Sequence, residues 1–290
     1  MKSLMMIGSV HTDIVQYVKE LPRGNENTEI LKSEMRVSGS GFKAAGIFQA
    51  AGFPFALIND PGTSVYGNFA REQAEQHGIT LLDESDEVGG CTFTMIDQNG
   101  SEGIFCVDGS EYHFSIAQLY DTDTSEFAAV AVFSEMLVSE DSGEVIDALD
   151  ALELPVYAVF SFRSHQVSPE MFEALAAFEP VMIMRDTDAC EFCGRPAESL
   201  DEAVQIIQKE IHSALIVLME NGDALYLDDE QTWIAPGKHK ADTDTWAAAF
   251  IASQMAGVDA KNGMMFANEF NHDPDPDAMK KRLAGMILHR

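Results

Sequence analysis

Basic side chains are scarce. The 290 residues carry 18 Lys and Arg against 48 Asp and Glu, a formal net charge of −30 at pH 7. A surface of that sign repels phosphate backbones and anionic headgroups, which argues against nucleic acid and the membrane surface as partners. Long apolar runs are missing as well: no stretch approaches the ~20 apolar residues that cross a bilayer. The segment Met1 to Val10 has one Lys and a short apolar run, then meets His11, Thr12 and Asp13. With no small-residue cleavage pattern, it reads as a first buried strand and not as a signal peptide. Cysteine is sparse too. Cys91, Cys106, Cys190 and Cys193 are too few to staple a chain of this size, so a reducing cytoplasm is the expected compartment. The acidity suits either a salt-adapted source or an ordinary acidic cytoplasmic protein, and stability measured against salt separates the two.

What the chain has is hydrophobic alternation on two scales. With 46% apolar residues it can bury one substantial core or two modest ones. Short apolar runs at Leu4–Gly8, Phe55–Asn59, Ala128–Phe133, Val156–Phe160, Val181–Met184 and Ala214–Leu218 read as buried strands. Between them lie helical patterns at Gly41–Ala51, Asn68–His77, Gly143–Leu152, Pro169–Phe178 and Ser199–Ile211. This order predicts an α/β fold, a mostly parallel central sheet with helices on both faces. Two segments, Gln16–Val37 and Cys91–His113, instead alternate polar and apolar residues around turns such as Gln98-Asn99-Gly100. They predict a small antiparallel sheet standing off the main one as a lid. The expected organisation is one α/β domain over 1–290, with the lid drawn from about 14–37 and 91–113. His272–Asp277, with Pro274 and Pro276 among aspartates, is the one disorder-prone stretch before a last helix at Ala278–His289.

Several Gly-containing segments fall in a fixed order: Gly8-Ser9, Asp13, Leu21-Pro22, Ser38-Gly39-Ser40-Gly41, Ala50-Ala51-Gly52, Gly62 through Gly67, and Gly78-Ile79. A Gly/Ser turn before a helix allows close backbone approach and exposes a helix N-terminus. Near the C-terminus stands Asp242-Thr243-Asp244-Thr245-Trp246-Ala247-Ala248-Ala249-Phe250. Together these segments resemble the ribokinase family of carbohydrate kinases, also called the phosphofructokinase-B family. The resemblance covers nearly the whole chain and rests on joint order, because no single motif is intact. It implies a three-layer ribokinase-like fold. It also implies a substrate side made by Asp13, which matches the family's sugar-contacting Asp, with His11, Gly39, Gly41 and Lys43 around it. Both His11 and Lys43 stand where the family has Asn. Homodimers formed by pairing lids are a further implication.

On the nucleotide side the departures are numerous. The family's second signature reads Asp-Thr-x-Gly-Ala-Gly-Asp-Ala-Phe, and its Gly-Ala-Gly amides form an anion hole for the transferred phosphoryl group. Thr245, Trp246 and Ala247 occupy those positions here, where side chains are expected to crowd a phosphate. The family's catalytic base aligns with Ala248, which cannot take a proton. Loss of a positioned base costs ~10²–10⁴-fold in rate. Asp244, four positions earlier, is expected to precede the helix and to lie beyond hydrogen-bond reach of a substrate hydroxyl. The family's Asn-x-x-Glu aligns with Arg185-Asp186-Thr187-Asp188, and Met219 stands where the family brings bare backbone to the nucleotide. Asp242 keeps the start of the second signature. Arg185 and Lys43 are suited either to an anionic ligand or to the chain's own carboxylates.

No metal-ligand set is visible. The Cys190–Cys193 pair lacks the second pair that a four-ligand zinc site needs, and it does not open a helix in the redox manner. Two functions of different class follow. One is a catalytically impaired homologue that binds a small sugar-like or nucleoside-like ligand, or a partner protein, with no cofactor. The other is an active kinase with a rearranged base, which would require ATP and magnesium. A third, an oligomeric subunit with a vestigial pocket, is marked by a dimer that persists on dilution and ignores ligands.

Overall fold

The computed structural model describes residues 2–81, 86–119, 122–192, 199–271 and 274–288. The first strand, β1 (Ser3–Ile7), is followed by β2 (His11–Val18), β3 (Ile30–Ser38), α1 (Ser40–Ala51), β4 (Phe55–Ile58) and α2 (Val65–Gln76). Next come β5 (Cys91–Ile96), β6 (Glu102–Val107), β7 (Phe127–Phe133), α3 (Ser142–Leu152), β8 (Val156–Phe160) and α4 (Pro169–Ala176). The remainder is β9 (Val181–Arg185), α5 (Asp186–Glu191), α6 (Leu200–Ile211), β10 (Leu215–Leu218), β11 (Ala224–Leu227), β12 (Thr232–Ala235), α7 (Thr243–Met255), α8 (Ala260–Phe270) and α9 (Pro276–Leu288).

Alternating side chains explain the layering. In β1, Leu4 and Met6 enter one core while Met5 and Ile7 enter the other, and all four are fully buried. The main sheet runs β12-β11-β10-β9-β8-β7-β1-β4. Its strands from β4 to β10 pair in parallel, and β11 and β12 add an antiparallel edge. Helices α1, α7 and α8 cover one face and α3, α4 and α6 the other. This is the three-layer α/β fold expected from the pattern of apolar runs. The second sheet, β3-β2-β5-β6, is the predicted lid, with β2 and β5 parallel and the other two pairs antiparallel. The Asp97–Gly100 turn joins β5 to β6, and Gly100 takes φ 80° there.

Two boundaries bear on function. Helix α7 starts at Thr243, earlier than the sequence pattern suggested, because the Asp242 side chain accepts the Thr245 N–H and caps it. From Thr243 to Ser253 every α7 residue but Thr245 is buried, so the helix is enclosed rather than amphipathic. The segment 272–273, within the stretch read as disorder-prone, lies outside the described residues, as does His289 at the end of the last helix.

Candidate functional site

The ends of β1, β7 and β8 and the starts of α1 and α7 converge beneath the lid. In the sheet, β1 lies between β4 and β7, so the chain departs from it in both directions. Ligands of open α/β sheets sit at the carboxyl ends of strands at such a switch point. A cavity of about 210 Å³ opens there, walled by residues of the strand ends, the lid and both helix starts. It brings together His11, Asp13, Gly39 and Lys43, four of the five substrate-side residues picked from sequence. A larger open groove of about 1000 Å³ adjoins it along α1, reaching Thr245 and Lys280.

Asp13 is buried at the start of β2, and its carboxylate is already engaged. Oδ1 accepts the hydroxyls of Thr92 and Thr94 at 2.8 Å each, and Oδ2 accepts Nε and Nη2 of Arg36 at 3.2 and 3.0 Å. The cross-strand register places these groups side by side, with Asp13 opposite both Arg36 and Thr92. The glycines allow close backbone packing. A Cβ at Gly39, whose φ is +112°, would lie 2.2 Å from Ser9 O, and one at Gly41 would lie 2.7 Å from Gly8 O.

Two cavity residues have an unpartnered buried atom, Nδ1 of His11 and Oε2 of Glu135. Burial lowers the His11 pKa from 6.5 to about 4, with Lys43 and Arg163 acting in the same direction against Asp13. The ring is therefore neutral at pH 7. Glu135 is fully buried, and its Oε1 accepts the Ser9 N–H at 3.3 Å, the Ser9 hydroxyl at 2.9 Å and the Ser40 hydroxyl. Burial, then the nearby Asp244 charge, raises its pKa against those hydrogen bonds.

The start of α7 differs from the expectation. The Thr245 amide donates to Asp242 Oδ1 at 3.1 Å and the Trp246 amide to Asp242 O at 3.0 Å. Both are thus engaged by the chain itself. Lys43 Nζ donates to Asp242 Oδ2 at 2.8 Å and to Asp244 Oδ2 at 3.2 Å. Burial pulls the Lys43 pKa down, but the charges of Asp244 and Asp242 outweigh it and hold the ammonium protonated. Asp242 is shifted down, since Lys43 overcomes its burial, whereas Asp244 is shifted up by burial and by Asp242. Asp244 belongs to the first turn of α7, not to the loop before it, and its carboxylate lines the cavity, taking the Ser161 hydroxyl at 2.6 Å.

Trp246 does not crowd this space. Its indole is fully buried, stacks on Phe250 at 5.6 Å and donates Nε1–H to Asn268 Oδ1 at 2.7 Å. Asn268 in turn donates to Ala235 O and Pro236 O, tying α7 and α8 to the end of β12. Ala247 and Ala248 are core residues of α7, 0% and 1% exposed. Arg185 forms a bidentate pair with Asp188 at 2.8 and 3.2 Å. Of the two roles open to Lys43 and Arg185, both serve the chain's own carboxylates. Met219 begins the β10–β11 turn, where its N–H meets Asp223 O and its carbonyl accepts Gly222 N–H. Cys193 lies outside the described residues, and Cys190 is a free thiol raised in pKa by burial and acidic neighbours.

Sequence reasoning missed Arg36, Ser161 and Glu135. For Glu135 a signal existed: an acidic residue one position beyond Ser134, which follows the buried run ending at Phe133, and just before the apolar Met136 and Leu137. For Arg36 and Ser161 the signal is only spatial, through strand register and the end of β8.

The family model described as pfkB family carbohydrate kinase matches residues 1–270. Among solved structures, the chain is similar to a ribokinase from Thermotoga maritima, with TM-score 0.75, 15% identity and 100% of both chains covered. It is similar to Arabidopsis thaliana ribokinase, complexed with ribose and ATP, with TM-score 0.75, 17% identity and 97% and 98% covered. Adenosine kinase from Sinorhizobium meliloti gives TM-score 0.77 at 12% identity, with 92% and 91% covered. No curated protein sequence matches. The chain belongs to the pfkB family of carbohydrate kinases.

Proposed function

We propose that this member of the pfkB carbohydrate kinase family binds a small sugar-like or nucleoside-like ligand in the cavity beneath its lid and does not transfer phosphoryl groups. One observation carries the reading: the Thr245 and Trp246 amides, at the family's anion-hole positions, both donate to Asp242. The Thr245 amide meets the Asp242 carboxylate and the Trp246 amide the Asp242 carbonyl, so both have partners within the chain. Ala248, at the family's base position, is sealed in the core and has no proton-accepting group. The residues present therefore do not fit ATP and magnesium at this end of α7. The test is product formation from magnesium-ATP with a panel of pentoses, hexoses and nucleosides. No phosphorylated product is expected, and turnover of any member would overturn the reading.

One observation favours the alternative of an active kinase with a rearranged base: Asp244 lines the ligand cavity with a raised pKa. If that reading holds, Asp244→Asn abolishes a measurable transfer activity by about 10²-fold or more.

A homodimer through the lid accompanies the main proposal. Asp13, Thr92 and Thr94 face the cavity, so the intervening residues face outward. Met35, Ile14, Phe93 and Phe105 form one register row across all four lid strands, with Met35 41% and Phe105 58% exposed. Such a contiguous apolar row supports pairing with a second copy. Sedimentation should show a dimer that Phe105→Asp converts to monomer; a wild-type monomer at micromolar concentration contradicts this.

A further inference from the structure

The lid is held to the main sheet and its helices unevenly. Strand β3 runs through Gly39 into α1, and β2 is tied to α2 where the Thr12 hydroxyl donates to Tyr66 O at 2.7 Å. Strand β6 is the opposite edge of the lid, and every residue in it but Gly103 is exposed. Little buried apolar contact fixes its position, and segments of that kind open most readily. Among the described residues, the side-chain hydrogen bonds that join 102–108 to the main sheet's side all come from Arg163.

Arg163 follows β8 at the carboxyl end of the sheet. Its Nη1 donates to Asp108 Oδ2 at 3.0 Å, and Nη2 donates to Oδ1. The guanidinium lies 4.6 Å from the centroid of the Tyr112 ring and 5.1 Å from that of Phe162, and the two rings stack on each other at 6.3 Å. Tyr112 belongs to the segment that leaves the lid, and Phe162 to the end of β8, so one planar cation packs on both sides of the junction. The Arg163 side chain is 13% exposed, against 58% for Asp108. Its backbone takes φ 61°, in the left-handed region that a residue with a Cβ rarely adopts. Glu153 and His212 share that backbone, but as helix C-caps, whereas Arg163 leads into the short turn at Ser164–Gln166. Such backbone collects at ligand clamps and switch segments and persists where surrounding contacts impose it. Here Asp108 and the two rings supply those contacts.

The cavity gives this arrangement its consequence. Ile104 and Phe162 are the only apolar side chains among the described residues of the cavity wall, one from β6 and the other next to Arg163. Both are accessible, Ile104 being half-exposed and Phe162 half-buried. Whatever fixes β6 to Arg163 therefore fixes the gap between them. We infer that Arg163 is a positioning residue that latches the β6 edge of the lid, setting the gap between Ile104 and Phe162 and the ease with which the lid opens for a ligand. This rests on the reading that the cavity takes a ligand, and assigns to that site a control over entry.

The test is hydrogen–deuterium exchange of the full chain at pH 7 without ligand, read by mass spectrometry. In Arg163→Met, peptides covering residues 102–107 should exchange about 10-fold faster than in the wild type, while those covering β2 and α7 keep the wild-type rate. Arg163→Lys keeps a charge for Asp108 but lacks the planar group that lies over the two rings, so its exchange should fall between. Asp108→Asn, at an exposed side chain, should accelerate the same peptides and leave thermal melting cooperative. Unchanged exchange of 102–107 in Arg163→Met overturns the latch. Acceleration spread evenly over all peptides overturns it too, since that marks a role in stability alone. If Arg163→Met does not melt cooperatively, Asp108→Asn decides, and wild-type exchange of 102–107 in that variant overturns the latch. No ligand is added, so failure here leaves the sugar-like or nucleoside-like reading of the cavity standing.

Discussion

Asp242 Oδ1 lies 3.1 Å from the backbone nitrogen of Thr245 and accepts its hydrogen, closing the N-terminus of α7 with the chain's own carboxylate. Lys43, from the facing α1, completes the arrangement by bridging Asp242 and Asp244. The positive end of α7 and the nearest cation are thus both neutralised internally.

Removing the bridge should expose the repulsion it offsets. Lys43→Met leaves Asp242 and Asp244 uncompensated, with Asp244 9% exposed. The expected loss is roughly 1–3 kcal/mol at pH 7, smaller than for a fully buried pair because Lys43 and Asp242 reach solvent. Adding Asp244→Asn should recover part of it, and a double-mutant cycle by urea denaturation measures the coupling. Strict additivity would show that the three groups do not act as a unit.

Restoring an acidic residue at position 248 should not restore a kinase. Ala248 is a core residue on an enclosed helix, so Ala248→Asp places a carboxyl among apolar neighbours. A loss of roughly 3–5 kcal/mol is expected, as for other uncompensated buried charges. Denaturation midpoints check the loss, and a phosphate-release assay should stay at background. A stable variant with measurable transfer would mean that α7 begins later than Thr243.

His11 should give stability a distinct dependence on pH. Its folded pKa is about 4, below the 6.5 of an unfolded chain. Between those values the unfolded state holds a proton that the folded state refuses, so stability falls as pH drops through the window. Above pH 6.5 the penalty is absent, and near pH 4 it reaches roughly 3 kcal/mol, from about 1.4 kcal/mol per unit. Subtracting the stability curve of His11→Asn from that of the wild type isolates this slope from the carboxylates. A flat difference between pH 7 and 4 would show that the ring is not held neutral.

The indole of Trp246 offers a local probe. Trp246→Phe keeps the ring stack on Phe250 but leaves Asn268 Oδ1 without its donor, at an expected cost of about 1–3 kcal/mol. Asn268→Ala should lose a similar amount and raise solvent exposure of the indole, read as a red shift in emission. No shift would place the indole elsewhere.

The parallel strands and the lid were legible in sequence because each rests on a local pattern, buried apolar runs in β1, β7 and β8 and alternation around Asn99-Gly100 in β5 and β6. Strands β11 and β12 were not, since each has only four residues, too short for a period to show, with the acidic turn Asp228-Asp229-Glu230 between them. The start of α7 was misplaced for a different reason. Thr243 to Ala248 reads as a motif in register with its family, yet an Asp at 242 is also a strong N-cap, and capping won. The cavity's open groups were the least legible. Whether Asp13 is available depends on three partners, at 36, 92 and 94, that only strand register assembles.

Titration of the purified protein with magnesium-ATP in a calorimeter asks whether the anion site at α7 is closed. No heat of binding is expected up to millimolar nucleotide, because the Thr245 and Trp246 amides and the Lys43 ammonium already have their partners. Saturable binding at micromolar magnesium-ATP would contradict it, since that requires Asp242 to leave the helix end and Lys43 to exchange a carboxylate for a phosphate.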